Sequence, residues 1–236
     1  MRNIILCEGQ TDLLFLQYYM RTVNHWNDAG NPKLKFLPKA RQFTKSNEYL
    51  VIAQCGGCSK IIDKIKNLIE RNSLTPNIND RFDNIIVVTD HDDIQYEYAI
   101  KNNLQQLCHI DTVENNEWCT SYFENFMKED YTTNFLLIMI PFTQCGAMET
   151  LLLDSIAEKD DYDKDIINQC NQLIDNIDKE KRYLTHRRHK IKAKFNTYFS
   201  IRVPEDFYTE RQKIFQSFPW ENYPHLMNVL SNLNTL

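Results

Sequence analysis

The sequence predicts an α/β protein: a mostly parallel sheet flanked by helices over residues 1–155, with a helical C-terminal extension, 156–236, packed on it as a cap. Three observations predict it. The run Ile85-Ile86-Val87-Val88 is continuously apolar and β-branched, as a strand buried on both faces must be. Similar short apolar runs alternate with stretches of helical periodicity, the pattern of a sheet built from βα units. Beyond Ala147 only helical periodicity remains.

Taken in order, Asn3–Cys7 is a buried strand closed by Glu8-Gly9. Thr11–Arg21 follows as a largely buried helix with Thr11 or Asp12 in its first turn. Val23–Ser46 is polar, contains Gly30-Asn31-Pro32, and is expected to be an irregular excursion. Tyr49–Ala53 is a second strand ending at Gly56-Gly57, and Ser59 is placed to cap the helix Lys60–Arg71. After the polar connection Asn72–Asp80 comes the Ile85–Val88 strand, then a helix over Tyr96–Leu107 and a further apolar strand, Phe135–Ile140, stopped by Pro141. The remaining helices are expected over Ala147–Glu158, Lys164–Ile177, Lys181–Tyr198, Asp206–Phe215 and Tyr223–Asn232.

Composition narrows the class. With 25% charged and 42% hydrophobic residues, the chain is an ordinary globular one. Its net charge of -5 argues against indiscriminate nucleic-acid binding by overall charge, although a local basic patch can still carry such binding. The seven cysteines are odd in number and irregular in spacing, which predicts reduced thiols and a cytoplasmic setting. No stretch approaches the roughly 20 apolar residues a membrane span needs, and Met1–Asp12 does not resemble a signal peptide.

Chemistry is expected at the carboxyl ends of the strands, where ligands bind in open parallel sheets. Glu8 directly ends the first strand, and Asp12 lies in the first turn of the helix that follows, so both can face one crevice. By itself Asp12 reads equally well as an acid favoured by the helix dipole. The strand at Ile85–Val88 runs into Thr89-Asp90-His91-Asp92-Asp93. In an extended chain Asp90 and Asp92 project to one side and His91 to the other. Two carboxylates held so close repel unless a proton or cation intervenes, and hard oxygen ligands suit Mg²⁺ or Mn²⁺. Glu149 opens the helix after Phe135–Ile140; on spacing alone it is an ordinary first-turn glutamate.

These residues carry a resemblance. Glu8-Gly9-Gln10-Thr11-Asp12 resembles the EGxxD signature of TOPRIM domains, and Asp90-His91-Asp92 resembles their DxD after the expected apolar strand. Gly56-Gly57 is similar to the glycine pair between those motifs. Gly146–Leu153 is similar to the glutamate-bearing helix start of stand-alone TOPRIM proteins related to the overcoming-lysogenization-defect (OLD) nucleases. The resemblance implies a TOPRIM-like fold and a nuclease that uses Mg²⁺ (or Mn²⁺) on DNA or RNA, in phage defence, with any ATPase or other defence-system partner on a separate chain. It makes Glu8 a metal ligand or general acid–base, Asp90 and Asp92 metal ligands, and Asp12 and Glu149 ligands of a first or second ion. No strand-passing tyrosine stands out, and the chain is too short for an added winged-helix or ATPase module, which argues against a topoisomerase.

The stretch Lys179–Lys194 is strongly basic, with Arg187, Arg188, Lys190 and Lys194 expected to grip phosphates while Leu184, Ile191, Phe195 and Tyr198 pack inward. A solvated cationic face is the plainer alternative. Lys190 is the residue expected to stabilise charge at the cut phosphate, a role that basic residues fill in the nucleases it resembles. Cys55-Gly56-Gly57-Cys58 has no second pair at zinc spacing, and Trp26, Trp118 and Trp220 read as packing residues. Two other functions use the same residues: a primase-type nucleotidyl transferase, and a binding or regulatory module without turnover.

Overall fold

A computed structural model describes residues 1–32, 34–204 and 211–236. Seven strands form one mixed sheet: β1 (Arg2–Cys7), β2 (Asn27–Gly30), β3 (Ala40–Lys45), β4 (Glu48–Gln54), β5 (Asn84–Asp90), β6 (Trp118–Glu124) and β7 (Asp130–Ile140). Their order is β2-β3-β4-β1-β5-β7-β6. The central strands β4, β1, β5 and β7 are parallel, and β3 and β6 join them antiparallel on either side.

Side-chain alternation divides the sheet between two cores. Ile5, Cys7, Ile86, Val88, Leu136 and Ile138 face one side, while Ile4, Leu6, Ile85, Val87, Phe135 and Leu137 face the other. This is why the central strands read as unbroken apolar runs: neither face meets water. The second core is covered by α2 (Ile61–Leu74) through Ile61, Ile65 and Leu68, and by α3 (Ile94–Cys108) through Ile100 and Leu104. Each such fully buried side chain stabilises by roughly 1.5–3 kcal/mol.

The first core is covered by α1 (Gln10–Thr22) and by the C-terminal helices α4 (Met148–Lys159), α5 (Asp161–Ile177), α6 (Arg187–Arg202), α7 (Arg211–Ser217) and α8 (Pro224–Val229). Phe15 of α1 meets Phe215 and Trp220 edge-on at 6.4 and 6.3 Å between ring centres. The C-terminal helices therefore share one core with the first helix of the chain. Trp26 and Trp220 are buried and Trp118 packs at the margin of the same core.

Several expectations need correction. The excursion Val23–Ser46 contains β2 and β3, with β2 laddered to β3 and β3 to β4, which no apolar pattern announces. The edge strand β6 was not anticipated. Ser59 does not cap α2: Cys58–Lys60 is a 3-10 turn, and Lys60 takes the capping position without a side-chain bond. The helix expected from Lys181 begins only at Arg187, because the Asp178 carboxylate accepts the amide N–H groups of Arg182, Tyr183 and Leu184 and holds that stretch as a loop. Of the helix Asp206–Phe215, residues 206–210 lie outside the described residues. Tyr223–Asn232 divides into α8 and a 3-10 turn, Ser231–Thr235. Cys7, Cys55, Cys108, Cys119, Cys145 and Cys170 are free thiols, while the Cys58 side chain lies outside what is described. Among the described residues no helix is long and apolar enough to cross a membrane.

Candidate metal centre

Along the parallel strands, β4 and β5 lie on opposite sides of β1, so the chain reverses direction across the sheet between β1 and β5. Adjacent crossovers diverge at such a point and leave a crevice beyond the strand ends. A cleft of about 510 Å³ lies there, and the predicted acids Glu8, Asp12, Asp90, Asp92 and Glu149 all line it.

Glu8 is held from both of its ends. Its backbone carbonyl accepts the amides of Gly56 and Gly57, each at 3.0 Å. Those glycines have φ of +87° and +116°, a backbone region that side chains disfavour, so the glycine pair is required for this wrap. Its carboxylate Oε1 accepts the Asp90 N–H at 3.1 Å and the Thr89 hydroxyl. Asp90 in turn accepts the Met148 N–H at 3.1 Å, which ties the end of β5 to the start of α4. His91 turns away as alternation requires: its Nδ1 stands 3.1 Å from the Pro141 carbonyl, and its Nε2 lies 3.2 Å from Glu97 without hydrogen-bond alignment. Gly146 lets the Pro141–Ala147 loop pass closely, since a Cβ there would lie 2.6 Å from the Pro141 side chain.

Crowding marks the electrostatics. Asp12, 8% exposed, accepts the Gly9 N–H at 2.8 Å, yet burial and the negative charges of Glu149 and Glu8 push its carboxyl up to about 7. Asp90 is raised well above the usual carboxylate range by burial and by Asp12, Glu8 and Glu149. Glu8 is raised by burial and by Asp92, against the lowering effects of Thr89, the Asp90 amide and Arg188.

The first turns of α6 also line the cleft, bringing Arg187, Arg188, Ile191 and Lys192. Arg187 donates to the carbonyl of Asp92, and to that of His91 at 3.4 Å, pinning α6 to the loop that carries the acids. Arg188 lowers the carboxyls of both Glu8 and Asp12. Lys190 and Lys194 are placed differently from the expectation. They pair with Asp175 of α5 at 3.7 and 2.8 Å and line a neighbouring cleft between α4, α5 and α6. With about 100° between successive helix residues, Arg188 and Lys192 share one face of α6 while Lys190 and Lys194 share another. Lys190 thus stands outside the acid cleft, and Arg188 and Lys192 hold the position anticipated for it.

The family described as "Protein of unknown function (DUF3226)" matches residues 2–235. The chain belongs to this family. Among solved structures, the DUF3226 chain is similar to a hypothetical protein from Pyrococcus horikoshii OT3, at 17% identity and a TM-score of 0.48, covering 98% of this chain and 100% of the other. It is also similar to a lactoylglutathione lyase from Agrobacterium tumefaciens, at 11% identity and a TM-score of 0.18, covering 57% and 92%. With TM-scores below 0.5, neither likeness says what a DUF3226 protein does. No curated protein matches the chain.

Whether this DUF3226 cleft suits a divalent cation turns on its donors. They are hard carboxylate oxygens, mutually repelling, and a cation relieves that repulsion. Among the described residues, however, no three His, Cys, Asp or Glu side chains stand at metal-ligating spacing. The set therefore fits an ion that keeps much of its water and takes one or two carboxylates, as Mg²⁺ commonly does, better than one caged entirely by protein. Residues not anticipated from sequence also line the DUF3226 cleft, among them Gln54, Ile191 and Lys192. Only Lys192 carried a sequence signal, its membership of the basic run.

Proposed function

We propose that this chain is a Mg²⁺- or Mn²⁺-dependent nuclease with a TOPRIM-like site, cutting phosphodiester bonds in DNA or RNA. One observation carries the reading: acids from three separate stretches, Glu8 and Asp12, Asp90 and Asp92, and Glu149, line one cleft at the strand switch together with Arg188 and Lys192. In this reading one or two of Glu8, Asp90 and Asp92 would hold the ion directly and the remaining acids, Asp12 and Glu149 among them, would meet it through its water shell or serve a second ion. A bound divalent ion supplies charge stabilisation at the cut phosphate and a more acidic water. Arg188 and Lys192 bind the phosphate backbone beside the acids, and Arg187 keeps their helix docked on the Asp92 loop. Glu8, whose carboxyl is raised by burial and by Asp92, is the acid–base candidate of this reading.

A second reading, a module that binds its ligand without turnover, is favoured by the spacing, which brings no three candidate ligands together among the described residues. One experiment separates the two. Wild type, Glu8→Ala and Asp90→Ala are titrated with Mn²⁺ by calorimetry and incubated with labelled single- and double-stranded DNA and RNA. The nuclease reading expects Mn²⁺ uptake and cleavage by wild type, and loss of cleavage in both folded variants. Uptake without cleavage of any substrate points to the binding module. Cleavage by both variants at the wild-type rate refutes the site.

A further inference from the structure

Thr89 is the penultimate residue of β5 and is 1% exposed. Its hydroxyl reaches Glu8, which lies 81 residues away in sequence, instead of returning to local backbone. The same oxygen lies 2.8 Å from the hydroxyl of Tyr96 in the first turn of α3. A threonine hydroxyl has one proton. If that proton goes to the Glu8 carboxylate, Tyr96 must donate to Thr89. The direction is thereby set: Tyr96 O–H to Thr89 Oγ1, and Thr89 O–H to Glu8 Oε1. The start of α3 is itself fixed, because Asp93 accepts the Tyr96 N–H at 2.7 Å. The Thr89 hydroxyl and the Asp90 N–H, the latter at 3.1 Å, both fall on Glu8 Oε1, and neither uses Oε2.

We propose that Thr89 and Tyr96 are positioning residues, a hydroxyl relay from α3 to the end of β1 that locks the Glu8 carboxylate and presents Oε2 to a divalent cation. The inference rests on the metal reading of the cleft. Outer hydrogen bonds of this kind fix the orientation of a metal-ligating side chain. Freed from Thr89, the Glu8 side chain regains rotamers that turn it from the ion.

The test is Mn²⁺ affinity by calorimetry on the full chain, with thermal unfolding in EDTA as the check on folding. Thr89→Val keeps shape and loses the hydroxyl, and is expected to weaken Mn²⁺ binding roughly 10–100-fold. Thr89→Ser restores affinity to within about threefold of wild type, a rescue that side-chain packing alone would not give. Tyr96→Phe weakens binding less than Thr89→Val. The double variant is expected to bind no more weakly than Thr89→Val, because the relay carries the effect of Tyr96 on Glu8 through Thr89. Wild-type affinity in a folded Thr89→Val overturns the relay and leaves the metal site standing. Should that variant not fold, unchanged affinity in Tyr96→Phe overturns it instead. Additive losses in the double variant also overturn it. A wild-type chain that takes up no Mn²⁺ overturns both the relay and the metal reading.

Discussion

Two clefts share Arg187 and Ile191 as a common wall, and they handle charge in opposite ways. On one side of that wall, Glu8, Asp12 and Asp90 are raised by burial and by neighbouring carboxylates. On the other, Lys190 and Lys194 both lean on Asp175, and the three side chains are a quarter to a half exposed. Exposed pairs of this kind contribute roughly 0–1 kcal/mol and ask nothing of a ligand. Crowded, buried like charges are unfavourable until something neutralises them, and so point to function. One basic helix supplies both walls, and its rotation alone decides which cations face the acids.

The contrast can be broken or sharpened by substitution. The largest effect is expected from Glu8→Ala or Asp90→Ala, with nucleic-acid cleavage falling on the order of 10³-fold; a smaller loss in both would mean the acids are not the centre. Next come the two faces of α6, measured side by side in the same assay. Arg188→Ala is expected to reduce cleavage about 10–100-fold and Lys190→Ala by less than about threefold. The reverse ranking would make the neighbouring cleft the working one.

Asp12 gives a pH test of the crowding itself. Its carboxyl titrates at about 7 in the fold and near 4 when unfolded, so between those values the folded chain holds the extra proton. Stability of the metal-free protein should therefore be highest near pH 4 as far as Asp12 contributes, fall as pH rises, and level off above 7. Asp12→Asn is expected to flatten this slope and raise metal-free stability near pH 8 by about 1–3 kcal/mol in urea unfolding. A variant less stable than wild type at that pH would show that the charge is compensated. The smallest effect is Lys194→Ala, which should cost less than about 1 kcal/mol. A larger loss would mean that the Asp175 pairs are structural in a way their exposure does not suggest.

Much of this was legible in the sequence, for reasons particular to each element. β1, β5 and β7 show as apolar runs because both of their faces are buried. β2, with sequence Asn27-Asp28-Ala29-Gly30, is exposed and exists through its ladder to β3, which no periodicity reports. Glu8, Asp90 and Asp92 were visible because they stand at strand ends; Glu149 became a candidate only through resemblance. Lys190 was misplaced because the sequence tells which residues share a face of α6, while packing on the body decides which face turns toward the acids. Thr89 and Tyr96 went unread because a hydroxyl acquires meaning only from its neighbour across the sheet.

The placement of α6 also bears on synthesis. The acids are complete once Glu149 has been made, but the cations that line the cleft with them and the aromatic cluster beneath α1 come from residues past 186. A chain still on the ribosome at that stage owns its charges without the cations that join them. The cleft is complete only when residues from 187 onward have docked.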